Sequence, residues 1–284
     1  MKTLLPVFWR CCKFLDYVIR GLVEDNDSQF CALWTHRVEW YQCAEIFVNK
    51  DFPRDYFFNK TKMVSPCHDT LLLITDAKKI FFSNSLDCFF SIHDDPEYLE
   101  INTTLELQHF SYIDTMLVFC VDLDALPNKD DKLDYDPNIS QLIANDQSSI
   151  CAWIDLFCES FQIEDWKKQV RELIMSNYRH FDLLVSRIRM NLEYIPAACA
   201  ILYCSKTVMG LYCLGTLPKF RRKGLAFQIV KSSISRAKTR GMKFFFVQTF
   251  LSDGFAEMYE KVGLQLAYRK RIYAYHCPLI EGSC

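Results

Sequence analysis

The chain has 284 residues, of which 50% are hydrophobic, 15% aromatic and 24% charged, a composition that excludes disorder as the main state and allows one large domain or two ordinary ones. The net charge of −2 hides a division: residues 1–130 hold 12 basic against 20 acidic side chains, and residues 131–284 hold 21 against 15. No apolar run approaches a membrane span, and charges at Lys2, Arg10, Lys13, Asp16 and Arg20 break up what would be the core of a signal peptide.

In the first half, residues 4–22 and 32–49 have helix-like periodicity. Strand-like runs follow at 71–75, 80–83, 88–92, 105–110 and 116–121, separated by turn-type residues. Residues 125–138 (ALPNKDDKLDYDPN) carry two prolines, four aspartates and no apolar run, which reads as a linker. The expected organisation is an acidic, aromatic-rich α+β N-terminal domain over 1–125, a linker over 126–138 and an α/β domain over 139–284. In the second domain, 150–161 and 164–175 read as amphipathic helices, and 181–188, 197–203 and 208–217 as three strands. A helix follows from Leu225, with Ile229, Val230, Ser233, Ile234 and Ala237 on one face. A strand over 244–250, a short helix over 253–262 and a last strand over 266–275 complete the order ααβββαβαβ.

The fourteen cysteines are scattered, with no CxxC pair and no Cys/His cluster at zinc spacing. They read as buried, reduced thiols of a cytoplasmic protein with no metal site. Glycine is distributed more tellingly: seven of the eight lie after residue 209, so the demanding backbone geometry is concentrated there. Pro218-Lys219-Phe220-Arg221-Arg222-Lys223-Gly224-Leu225-Ala226 sits between a predicted strand and a predicted helix. Such a loop aims backbone N–H groups and the positive helix end at one spot, which suits a diphosphate. Arg221, Arg222 and Lys223 add charge, Gly224 permits close approach and Ala226 keeps the first turn small. From Tyr194 to Ser252 there is no acidic residue and there are ten basic ones, a surface that draws anions. An ordinary basic loop or a nucleic-acid patch would read similarly at this point. The patch lacks the interleaved aromatics of a stacking surface.

Arg221-x-x-Gly224-x-Ala226 resembles the Arg/Gln-x-x-Gly-x-Gly/Ala acyl-CoA loop of the GCN5-related N-acetyltransferases. The second motif of that family, Asn-x-x-Ala-x-x-x-Tyr-x-x-x-Gly-Phe, is matched in register by Tyr259 and Gly263. Ser252 stands for the asparagine, Phe255 for the alanine and Leu264 for the phenylalanine. The resemblance implies a mixed-sheet acyl-CoA N-acyltransferase fold over the second domain. The first half would be a degenerate copy of it or an unrelated cap.

It also implies acetyl-CoA as donor and direct attack by an amine of a small molecule, peptide or protein. The diphosphate would be held by Arg221, Arg222, Lys223, Gly224, Leu225 and Ala226. Pantetheine would run along Leu214, Gly215 and Thr216 and reach Ser252, and Tyr259 would protonate the departing thiolate. Glu193 is the nearest carboxylate to serve as base and reads equally as an exposed turn residue. Tyr212 would line the amine path or simply pack on its strand. The acidic first half would favour a cationic acceptor. A non-catalytic acyl-CoA-binding sensor or interaction module is the alternative, and the acceptor and oligomeric state stay open.

Overall fold

The computed structural model describes residues 5–40, 43–126 and 136–277, with side chains from Tyr17 onward except those of Glu39 and Trp40. The first half comprises α1 (Leu5–Ala32), β1 (His36–Trp40), β2 (Ala44–Val48), β3 (Lys60–Met63), α2 (Thr70–Phe82), β4 (Cys88–His93), α3 (Leu99–Leu107) and β5 (Ser111–Asp122). The second comprises β6 (Ile139–Ala144), α4 (Gln147–Phe161), α5 (Lys167–Asn177), β7 (Asp182–Met190), β8 (Glu193–Ser205), β9 (Val208–Thr216), α6 (Leu225–Thr239), β10 (Phe244–Phe250), α7 (Ala256–Lys261) and β11 (Gln265–Tyr275). From β1 and again from β7 the chain runs strand, strand, strand, helix, strand, helix, strand. The first half therefore repeats the element order of the second.

The chain forms two compact units. One gathers the chain up to Asn26, Phe119–Gln248 and Phe255–Ala267; the other gathers Asp27–Val118, Thr249–Gly254 and the chain from Tyr268. In the first unit β6, β7, β8 and β9 pair antiparallel in sequence order, and β10 lies parallel to β9 after the α6 crossover. In the second, β1, β2 and β3 pair antiparallel, and β4 lies parallel to β3 after the α2 crossover. Residues 270–275 of β11 then pair antiparallel with β4, so the last strand of the second half completes the unit built mainly from the first. The expected linker falls largely on residues 127–135, outside the described residues.

The elements of the second half lie where periodicity puts them, and β6 is an additional strand. The first half differs at four places, one of them β3, which none of the expected runs contains. Residues 32–49 are not a helix but the end of α1 and the β1–β2 hairpin. All five residues of β2 are buried, so the strand carries no alternation to distinguish it from a helix. The runs 71–75 and 80–83 are one helix, α2, started by the Asp69 carboxylate, which accepts from the Leu72 N–H. Its Leu73, Ile74, Ala77 and Phe81 face the core while Leu71 and Leu72 are exposed, a one-sided burial that the unbroken Leu-Leu-Leu-Ile run conceals. Residues 105–110 are mostly the end of α3, whose Ile101 and Leu105 enter the same core with Phe90, Ile92 and Tyr273.

Candidate functional site

The site is built on a fault in the β8–β9 ladder. Cys199 pairs with Gly215 and Ile201 with Tyr212, so Cys213 and Leu214 together oppose Ala200. Cys213 takes a left-handed φ of 53° to make this bulge. The Ala200 carbonyl, left over by the bulge, accepts a 2.9 Å bond from the indole N–H of Trp153 on α4, which satisfies a buried group that would otherwise be costly. Beyond the bulge β9 no longer follows β10. Their parallel register ends at Leu211 and Val247, although β9 continues to Thr216. The backbone of the last β9 residues is thereby released from β10, and half-buried Leu214 and Thr216 face away from Gly215 by the two-residue period.

Gly215 allows α4 to close on the opposite face. A Cβ there would lie 2.7 Å from Ser160 Cβ and 2.9 Å from Phe161 Cε2. Arg221 fastens the same corner: its Nε donates to the Thr216 carbonyl at 3.1 Å and its Nη2 to the Ser160 carbonyl at 3.1 Å. The second bond satisfies a last-turn carbonyl of α4 that has no partner within its helix. The sequence puts Arg221 among the phosphate-holding charges. In the structure its guanidinium joins β9, α4 and the loop.

After a one-turn 3-10 helix over Pro218–Phe220, Arg222 and Gly224 both adopt positive φ, 61° and 76°. They wrap the loop onto the start of α6. Gly224 is the N-cap, and no side chain bonds to the helix end. Because α6 bonding begins with the Gln228 N–H to the Gly224 carbonyl, the N–H groups of Leu225, Ala226 and Phe227 are the unpaired donors of a helix start. Arg221, Arg222, Lys223 and Gly224 are exposed, Leu225 is buried and Ala226 is half-buried. The ammonium groups of Lys219 and Lys223 lie 5.3 and 5.5 Å from the Phe220 ring centre, which stations two cations beside the helix start. Uncapped N–H groups, a glycine without crowding neighbours and flanking cations fit an anionic diphosphate.

Tyr259 lies on α7, 3% exposed, with its ring 5.5 Å from that of Phe119. Tyr212 is committed elsewhere: its hydroxyl donates to Asn26 Oδ1 at 2.8 Å, and Asn26 Nδ2 donates to Ser205 Oγ at 2.8 Å and the Val208 carbonyl at 3.2 Å. This buried network ties α1 to β8 and β9. No spacing in the sequence points from Asn26 to Tyr212, 186 positions apart. Ser252 belongs to the other compact unit, where its hydroxyl donates to Asp114. Glu193 is exposed at the start of β8.

The counterpart of this loop in the first half lies between β3 and α2. It contains no glycine, no arginine and no lysine (Val64-Ser65-Pro66-Cys67-His68-Asp69), and the Asp69 carboxylate accepts from an α2 donor, the Leu72 N–H. A capped, negatively charged helix start repels the ligand that the α6 start invites.

Residues 195–274 match the family model described as FR47-like protein. No curated protein matches the chain. A GCN5-related N-acetyltransferase from Kribbella flavida is a similar solved structure, with a TM-score of 0.64 and 13% identity over 89% of this chain and 94% of that one. Another, from Sphaerobacter thermophilus, has a TM-score of 0.63 and 11% identity over 84% and 82%. A tandem GNAT protein of the clavulanic acid biosynthesis pathway has a TM-score of 0.57 and 8% identity over 85% and 79%. With the parted parallel strands and the open α6 start in one unit, the chain has the fold of the GCN5-related N-acetyltransferases, and residues 195–274 match the FR47-like family model.

Proposed function

We propose that the protein is an acyl-CoA-dependent N-acetyltransferase that uses acetyl-CoA as donor and an amine as acceptor. The observation that carries this reading is the uncapped start of α6 at Gly224, in the loop that follows the stretch of β9 released from β10. The diphosphate would rest on the N–H groups of Leu225 and Ala226, with Arg222 and Lys223 supplying charge. Arg221 keeps the loop in place. Pantetheine would extend along the released backbone of Leu214 and Thr216. A backbone N–H there would polarise the thioester carbonyl, an electrostatic contribution to the addition step. The neutral amine attacks that carbon, and the adduct loses the amine proton to solvent. It collapses to the amide by expelling the CoA thiolate, which takes a proton from the Tyr259 hydroxyl, and the Tyr259 phenolate regains a proton from solvent.

A thermal melt with and without acetyl-CoA tests the ligand. Free ligand at 100-fold over Kd stabilises the folded state by about 2.7 kcal/mol, and no shift at saturation overturns the reading. Tyr259→Phe separates an enzyme from a sensor that binds without turnover. Loss of kcat with retained acetyl-CoA binding supports the enzyme, and an unchanged kcat removes Tyr259 from the chemistry.

A further inference from the structure

We propose that Cys43 and Cys67 form a reversible disulfide by exchange with low-molecular-weight disulfides such as oxidised glutathione. Both are free thiols whose sulfurs lie 2.9 Å apart, with the Cys43 thiol donating to the Cys67 sulfur. The backbone already holds the two segments together. The Cys43 carbonyl accepts from the Val64 N–H at 2.9 Å and from the Ser65 N–H at 3.3 Å, so the loop that carries Cys67 is pinned to the residue before β2. Only a small closure of the side chains reaches the S–S bond length of about 2.05 Å.

The two thiols are unequal in the way that exchange requires. Cys43 is 5% exposed, within the α2–α3 core, whereas Cys67 is half-buried at the edge of that core. Burial pushes the Cys43 thiol up to about 12, and its hydrogen bond to Cys67 adds to the rise. Cys67, the more exposed sulfur, therefore begins the reaction. The Cys67 thiolate attacks one sulfur of oxidised glutathione, forms a mixed disulfide and expels one glutathione thiolate. Cys43 then attacks the Cys67 sulfur, gives its proton to solvent and expels the second thiolate. Two protein thiols are oxidised and one glutathione disulfide is reduced to two thiols.

The bond would close a loop from the start of β2 to the segment just before α2. That segment is the first-half counterpart of the loop at Gly224. Oxidation would thus fix the β3–α2 connection, and reduction would release it.

Peptide mapping of the full-length protein tests this. Tryptic peptides 38–50 and 63–78 each contain a single cysteine, Cys43 and Cys67 respectively, so their linkage is unambiguous. After incubation of the native, reduced protein with oxidised glutathione and acid quenching, the two peptides should appear joined, and excess reduced glutathione should separate them. In Cys43→Ser, peptide 63–78 should carry a stable glutathione adduct. In Cys67→Ser, peptide 38–50 should stay unmodified. A wild-type Cys67 adduct that persists without transfer to Cys43, or thiols that remain free while other cysteines react, would overturn the proposal. The wild-type result stands even if either variant folds poorly.

Discussion

The starts of α2 and α6 are the same place in two copies of one element order, and they have opposite chemistry. Asp69 caps the start of α2 by accepting from the Leu72 N–H and adds a negative charge. Gly224 leaves the donors of α6 open, and exposed Lys219, Arg222 and Lys223 lie in the loop that leads into them. The strands before them differ as well. β3 has four residues, is paired with β4 only through Thr61 and Lys62, and has no bulge. β9 bulges at Cys213 and leaves its parallel neighbour five residues before its own end. One element order thus occurs twice in the chain, with an open helix start in only one of the two places among the described residues.

The largest break in this comparison should come from Gly224→Glu. A side chain is strained at φ 76°, and its carboxylate would stand where the diphosphate is expected. The acetyl-CoA-induced rise in Tm should vanish while the unliganded protein stays folded. If the shift survives, the α6 start is not the ligand site. Next is Tyr259→Phe, for which kcat in an amine-acetylation assay should fall roughly 10²-fold or more, the ordinary scale of a general acid. Isothermal titration should show acetyl-CoA affinity close to wild type.

Gly215→Ala probes the packing that only the second copy has. Its Cβ would collide with Ser160 and Phe161, and denaturant unfolding should show a loss of about 1–3 kcal/mol, the usual range for overpacking. The smallest effect is expected from Asp69→Gly, since replacing a cap by glycine costs only a few tenths of a kcal/mol. That variant sharpens the comparison, because titration should still give one acetyl-CoA per chain. A second site would mean that the cap alone keeps the first copy silent.

The second half was legible because its signals are local. A strand of Phe244–Phe250, a helix from Leu225 and a glycine at its start each follow from a few neighbouring residues. The first half resisted for a physical reason. β3 reads Lys-Thr-Lys-Met, and lysine in a sequence signifies solvent, yet Lys60 and Lys62 are buried. Lys62 Nζ lies 3.2 Å from Asp27 Oδ2 and donates to Ser28 Oγ at 2.8 Å, while Glu45, opposite Lys62 in β2, accepts from Ser28 and pairs with Arg37. Such a buried charge cluster is tolerable only when each member has partners, and the partners come from 34 and 35 residues away.

From the sequence alone come the order of elements from α4 onward, the basic loop before α6 and the glycine at its end, since periodicity and backbone sterics act within a few residues. Tertiary structure decided where those features meet. The bulge at Cys213 comes with a bond from Trp153 to the Ala200 carbonyl opposite it, and the Arg221 side chain is bonded to the end of α4. The Cys43–Cys67 contact depends on a hairpin that periodicity mistakes for a helix. Each of these is a long-range hydrogen-bonding or packing match, which spacing along the chain does not encode.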